Sequence, residues 1–91
     1  MIKVIGTILA PSGISYIDPL INVYFLSYNP QTDIFAVPQI LDTATDPDSI
    51  TPIDQLGIVS IADRNANRDQ ITPIVLMVLE NTYPNCTFKI I

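Results

Sequence analysis

Residues 21–37 read INVYFLSYNPQTDIFAV, and this stretch decides the fold class. The run at 21–28 is rich in β-branched and aromatic side chains, which are enriched in strands. A second apolar run follows at 34–37. The residues between them, 29–33, combine asparagine, proline and aspartate, a composition typical of a turn. The stretch therefore predicts a β-hairpin whose second strand stops at Pro38, because proline cannot donate to a sheet ladder.

Short apolar segments continue this pattern toward both ends of the chain. Residues 2–9, 56–61 and 87–91 are each predicted as strands from their β-branched and aromatic content. Residues 11–13, Pro-Ser-Gly, predict a turn, because proline suits the second turn position and glycine accepts a positive φ. Residues 42–55 contain four aspartates and two prolines and are predicted to form an exposed loop.

The segment 72–82 leaves two interpretations open. Thr72 and Pro73 suit the N-cap and first position of a helix, whereas three of the five residues after Pro73 are β-branched and favour a strand. The chain is therefore predicted to be mainly β: a single small two-sheet sandwich domain over residues 1–91, with or without one short helix near 72–82. The alternative is an α+β fold.

The composition excludes most catalytic chemistry. The chain has no histidine, so a serine or cysteine nucleophile lacks its usual base, and zinc sites built from cysteine and histidine cannot form. Three glycines in the whole chain do not provide a glycine-rich phosphate loop. We therefore expect a protein that is not an enzyme and that uses no cofactor.

Charge and hydropathy narrow the expected partners to proteins. The net charge of −5 opposes nucleic acid, whose phosphates require a basic face. The longest apolar run, 74–79, is far shorter than the roughly 20 residues that a membrane-spanning helix needs, so no membrane partner is expected. Hydrophobic residues make up 48% of the chain and charged residues 14%, against about 25% charged in an ordinary domain. Some of this apolar surface is therefore expected at contacts between subunits.

The candidate contact residues lie in two predicted strands, 21–28 and 87–91, that carry apolar side chains on both faces. An antiparallel sheet in a soluble monomer usually has one polar face. The segment 87–91 is also nearly uncharged, and we expect it to pair as an edge strand with a neighbouring subunit. The candidates are Tyr24, Leu26, Tyr28, Phe88, Ile90 and Ile91.

The polar run 63–69 has part of the pattern of a calcium-binding loop. It places oxygen-bearing side chains at alternate positions, as the first ligand positions of a calcium loop do. Arg68 stands where such a loop needs glycine, and Ile74 stands where it needs a bidentate glutamate. The pattern therefore favours a connecting loop, and no metal is expected.

Residues 5–13, IGTILAPSG, followed by INVYF at 21–25, resemble the opening of the small transthyretin-like β-sandwich modules of bacteriophage tail fibres and related virion appendages. The glycine before an apolar strand at 57–61 and the Ile-x-Pro element at 71–73 resemble later parts of that pattern. The turn motif is also similar to one in Ig-like sandwich domains. The resemblance, which is best over residues 5–25, implies an Ig-like or transthyretin-like sandwich.

The resemblance also implies a role. We expect a structural or adaptor protein of a phage virion, made in the host cytoplasm, that forms part of a tail, a baseplate or a fibre attachment. Its partners would be copies of itself and other virion proteins. Two alternatives stay open: a capsid decoration (cement) protein, and a carbohydrate- or ligand-binding module that uses Tyr16, Tyr24, Tyr28 and Tyr83.

Overall fold

A computed structural model describes residues 1–29, 33–43, 46–61 and 68–91, with side chains described over 1–24, 35–43, 46–61 and 69–91. These residues form eight strands and one helix, and the two longest strands make the central hairpin. The elements are β1 (Ile2–Ile5), β2 (Thr7–Leu9), β3 (Ser15–Ile17), β4 (Leu20–Asn29), β5 (Asp33–Leu41), β6 (Pro52–Gln55), β7 (Val59–Ile61), α1 (Arg68–Thr82) and β8 (Thr87–Ile90).

A large antiparallel sheet is built around the β4–β5 hairpin, in the order β6-β5-β4-β1-β8, and β7 pairs with the other half of β5. Tyr24 lies opposite Val37 in the hairpin, which confirms the two strands predicted from residues 21–37. The turn predicted at 29–33 falls mostly on residues 30–32, outside the described residues.

The predicted strand 2–9 is in fact two strands in different sheets, and Gly6 separates them. Gly6 has a φ of 123°, a backbone angle that residues with a Cβ rarely adopt. The chain turns at this point, so that β1 joins the large sheet and β2 pairs with β3 in a separate ribbon. Periodicity could not locate this corner, because the apolar residues continue through it.

The turn at residues 11–13 joins β2 to β3, as predicted. The Gly13 N–H donates to the Ala10 carbonyl at 2.9 Å, and Gly13 has a φ of 90°. Its Pro-Ser-Gly sequence therefore provides a three-residue hairpin loop that ends in a glycine with positive φ.

The prediction that the second hairpin strand stops at Pro38 is wrong, because β5 runs on to Leu41. Val23 lies opposite Pro38, and the Leu56 N–H donates to the Pro38 carbonyl at 2.9 Å. The nitrogen of Pro38 therefore faces the side where β6 and β7 are interrupted at residues 56–58. The absence of an N–H at Pro38 costs little stability there, because the hydrogen-bond ladder on that side of β5 is already interrupted.

The predicted loop 42–55 is shorter than expected, since its last four residues form strand β6. Asp54 lies opposite Ile40 of β5 in this strand. A polar, proline-containing segment is tolerated here because β6 is an edge strand. The strand predicted at 56–61 is correspondingly reduced to β7, after a break in which Gly57 has a φ of 96°.

The ambiguous segment 72–82 lies in helix α1, which begins at Arg68, one turn before the predicted start, and contains Pro73. Ile71, Val75 and Leu79 are buried at a spacing of four residues, so they form one helical face. The β-branched residues that favoured a strand are thus accommodated by tertiary packing, which overrides weak helix propensity.

The core lies between α1, the β2–β3 ribbon and one face of the large sheet. This inner face carries Ile2, Val4, Ile21 and Val23, which alternate with side chains on the outer face. The fold is mainly β, with a large antiparallel sheet, a small second sheet and one short helix, and it is consistent with a small β-sandwich-like fold.

Candidate functional site

Strand β8 forms one edge of the large sheet and pairs only with β1 among the described residues. The Ile91 N–H donates to the Met1 carbonyl at 3.0 Å, and Lys89 lies opposite Lys3. Because backbone groups alternate in direction along an antiparallel strand, the N–H and C=O groups of Phe88 and Ile90 point away from β1. The edge therefore offers an open ladder to an additional strand.

The opposite edge of the sheet is protected against strand addition. It consists of β6 and β7, with a break between them at residues 56–58. Pro52 lies in β6, and the outward N–H of Gln55 is bonded to the Asp54 carboxylate at 2.8 Å. Proline and interruptions of the strand hinder pairing at sheet edges. The two edges of this sheet therefore differ in their capacity to accept a partner.

Two of the four basic residues of the chain, Lys3 and Lys89, lie directly opposite each other on the outer face. Like charges in directly opposed positions destabilise a sheet. The described residues form no ion pair with either lysine. The edge strand thus carries a local positive charge on a protein whose net charge is −5.

The predicted contact residues occupy different environments. Tyr24 on the outer face is 50% exposed, and Ile90 and Ile91 are 45% and 63% exposed. Phe88 is 8% exposed and packs in the core, so its side chain is part of the interior rather than of a contact surface. The side chains of Leu26 and Tyr28 lie outside the described residues. The structure therefore brings together only Ile90 and Ile91, at the β8 edge.

Sequence reasoning missed the lysine pair, because Lys3 and Lys89 are 86 positions apart. The only signal available was the strand character of both terminal segments, and their pairing could not be read from it. The alternation of apolar and polar residues in 87–91 would have placed Lys89 on the outer face once the register was known.

A polar cluster at Asp54 connects the β2–β3 ribbon to the large sheet through hydrogen bonds. Asp54 Oδ2 accepts hydrogen bonds from Ser12 Oγ at 2.5 Å and from the Tyr16 hydroxyl at 2.7 Å, while Oδ1 accepts from the Gln55 N–H. The hydrogen bond from Ser12 is the largest cause of the lowered pKa of Asp54, and the bonds from Tyr16 and Gln55 lower it further. The bond to Asp54 is also the largest cause of the raised pKa of Tyr16.

An open groove of about 500 Å³ lies beside this cluster, between β3 and the β5–β6 part of the sheet. Its lining mixes apolar side chains such as Ile40 and Ile53 with Asp18 and Thr43. Tyr16 lines it, but its hydroxyl is already bonded to Asp54. The hydrogen bonds of the cluster therefore position the ribbon against the large sheet.

The three tyrosines whose side chains the structure describes lie in different environments. Tyr16 is hydrogen-bonded to Asp54, Tyr83 packs against the core, and Tyr24 is half-exposed on the outer face. Burial is the largest cause of the raised pKa of Tyr83. The side chain of Tyr28 lies outside the described residues.

We expect Asp54→Asn to flatten the acid side of the pH–stability profile. The pKa of Asp54 in the folded state lies below the unfolded value of about 3.9. Its contribution to stability is therefore fully present above that value and is lost as the pH falls through the folded-state pKa. Thermal unfolding from neutral to strongly acidic pH measures this slope.

Asp48→Asn is the matched control for Asp54→Asn, because Asp48 is an exposed loop aspartate. We expect it to keep the wild-type acid slope. Equal acid slopes in the two variants would show that the Asp54 bonds do not contribute to folding.

Within the part of the chain that the structure describes, no three histidine, cysteine, aspartate or glutamate side chains are grouped so as to hold a metal ion. The run weighed for calcium at 63–69 lies mostly outside the described residues, and Arg68 and Asp69 begin α1. Helix α1, the one helix among the described residues, falls short of the length and apolar character needed to cross a lipid bilayer.

Comparison of the chain with protein-family models, curated protein sequences and solved structures found no match.

Proposed function

We propose that this protein is a structural or adaptor subunit that acts through contacts with copies of itself and with other proteins of an assembly, and that it is not an enzyme. The observation that carries this proposal is the number of exposed apolar side chains. The described residues expose fourteen large hydrophobic side chains, nearly as many as the fifteen hydrophobic residues buried in the core.

Scattered exposed apolar residues are normal, but contiguous ones mark interaction surfaces. On α1, Ile74, Met77 and Val78 are all exposed. Their spacing makes them neighbours on one flank of the helix. On the ribbon, Leu9 and Ile17 are exposed on the side opposite the buried Ile8. Two elements thus carry apolar surface that assembly would remove from water.

The resemblance of residues 5–25 to modules of phage tail fibres supports a virion as the assembly in question. That stretch covers the Gly6 corner, the β2–β3 ribbon and the start of β4. A tail, baseplate or fibre-attachment component is therefore the specific form of the proposal. Localisation of the protein in an imaged particle would distinguish this position from one on a capsid surface.

The molar mass of the purified chain in solution tests the proposal. We expect light scattering over a wide concentration range to give a discrete oligomer, or the chain to need a co-expressed partner for solubility. Apolar contacts persist at high salt, whereas ionic contacts weaken, so the measurement should be repeated at high ionic strength as a control. A stable monomer at every concentration, with no partner requirement, would remove the main support for this function.

A further inference from the structure

We propose that the open edge of β8 binds an extended, acidic segment of a partner protein, which adds to the large sheet as an antiparallel strand. This inference deepens the proposed function by naming the kind of partner at one surface. It rests on the backbone geometry of β8, on the lysine pair beside it and on the shape of the inner side of the edge.

The backbone of β8 supplies the hydrogen bonds for the added strand. Phe88 and Ile90 direct their N–H and C=O groups outward, because Thr87 and Lys89 face β1 in the register that places Ile5 opposite Thr87. Two outward residues offer two donors and two acceptors. Recognition by strand addition gains affinity from such main-chain bonds and specificity from alternate side chains.

The outer face selects acidic side chains. A partner residue opposite Lys89 would extend the row that already contains Lys3 and Lys89. Residues opposite each other in an antiparallel pair come closest where they share no backbone bonds, which is the situation of Lys89 at this edge. A carboxylate there would offset the repulsion between the two lysines, whereas a third cation would increase it.

The inner face selects apolar side chains. Ile90 is half-exposed on this face, at a cavity of about 240 Å³ between β8 and the first turns of α1. Asp69 is among the residues that line the cavity, and its negative charge disfavours acidic side chains on this side of the partner. The lining residues are Met1, Asp69, Thr72, Pro73, Ile90 and Ile91.

A second copy of β8 fits this edge less well than an acidic strand. Antiparallel pairing of two β8 strands in register places the two Lys89 side chains either directly opposite or within two positions of each other. Each of them also has Lys3 beside it, so four lysines would gather on one face. The charge distribution therefore favours a partner strand in which apolar and acidic side chains alternate.

Peptide binding to the full chain tests the inference. The probe is a synthetic seven-residue peptide that alternates valine with glutamate, blocked at both ends, and the matched probes carry glutamine or lysine in place of glutamate. We expect the glutamate peptide to bind roughly tenfold more tightly than the lysine peptide, with glutamine between them. Amide spectra should show the largest shifts, and slowed hydrogen exchange, at Phe88 and Ile90.

Two variants separate strand addition from simple attraction of charges. Lys89→Glu should reverse the order of the three peptides. Ile90→Pro removes one outward N–H and leaves the bonds from Lys89 and Ile91 to β1 in place, so it should abolish binding, whereas Ile90→Val should retain it. Thermal unfolding of Ile90→Pro shows whether the fold is kept, and Lys89→Glu provides the test without a proline.

Equal binding of the three peptides, or shifts centred away from β8, would overturn the inference. So would concentration-dependent protection of Phe88 and Ile90 without any peptide, because that result would assign the edge to a second copy. These outcomes are independent of the molar mass. An oligomer that binds no acidic strand refutes only this inference, and a monomer that binds one refutes only the assembly by apolar surfaces.

Discussion

Replacing Leu79 with alanine is expected to lower the free energy of unfolding by about 3 kcal/mol, within the range measured for buried leucine-to-alanine changes. Leu79 is 2% exposed and belongs to the core cluster that joins α1 to the inner face of the sheet. Alanine is the better helix former, so the loss would come from packing and not from helix propensity. A domain of this size has roughly 5–15 kcal/mol of stability in total, so the variant should unfold at markedly lower denaturant concentration.

Glu80→Ala is the matched control for Leu79→Ala, because Glu80 lies in the same helix but is exposed. Its effect on unfolding should stay within about 0.5 kcal/mol. Chemical denaturation followed by circular dichroism measures both variants. Similar losses in the two variants would mean that α1 does not pack on the sheet through the face that contains Val75 and Leu79.

Gly6→Ala is expected to cost about 2 kcal/mol of unfolding free energy, because a residue with a Cβ is strained at a φ of 123°. The corner has little freedom to relax. Gly6 donates its N–H to Asp18 Oδ1 at 2.7 Å and accepts the Asp18 N–H at 2.9 Å. A Cβ on Gly6 would also lie 3.4 Å from Cys86 Sγ.

Gly13→Ala is the control for the corner, and it should cost less, about 1 kcal/mol. Gly13 also has a positive φ, but it lies in an exposed turn, and no atom lies within 4 Å of the position a Cβ would take. The turn leaves open space around the added methyl group, whereas at the corner that group would contact Cys86, so the corner has less freedom to adjust. Equal costs for the two substitutions would show that local backbone strain alone, and not the corner, determines the effect.

The sequence predicted those elements whose signal is local. Strand β4, the Pro-Ser-Gly turn and strand β8 follow from residue type over a few positions. The class of fold followed from the number of such segments. These features need no knowledge of which segment pairs with which.

Features that depend on pairing were predicted wrongly or not at all. Pro38 is tolerated inside β5 only because the neighbouring strand is interrupted beside it, which is a property of residues 56–58. Asp54 was predicted to lie in an exposed loop, but the ribbon brings Ser12 and Tyr16 to its carboxylate. Each of these outcomes is set by the register between distant strands, and the composition of one segment carries no information about it.

At the β8 edge, too, the locally encoded features were predicted and those that depend on strand pairing were not. The apolar, nearly uncharged character of 87–91 indicated an edge strand, and β8 is one. The placement of Phe88 in the core and of Lys3 beside Lys89 follows from pairing with β1, which the sequence did not specify.

The difference between the two edges of the large sheet determines how many strands can be added to it. A sheet with two receptive edges can propagate from chain to chain without limit, as fibrils do. Here the β6 side is closed by Pro52, by the bonded Gln55 N–H and by the break before β7. The valency of the sheet for strand addition is therefore one, so growth from copy to copy through the sheet edges cannot continue.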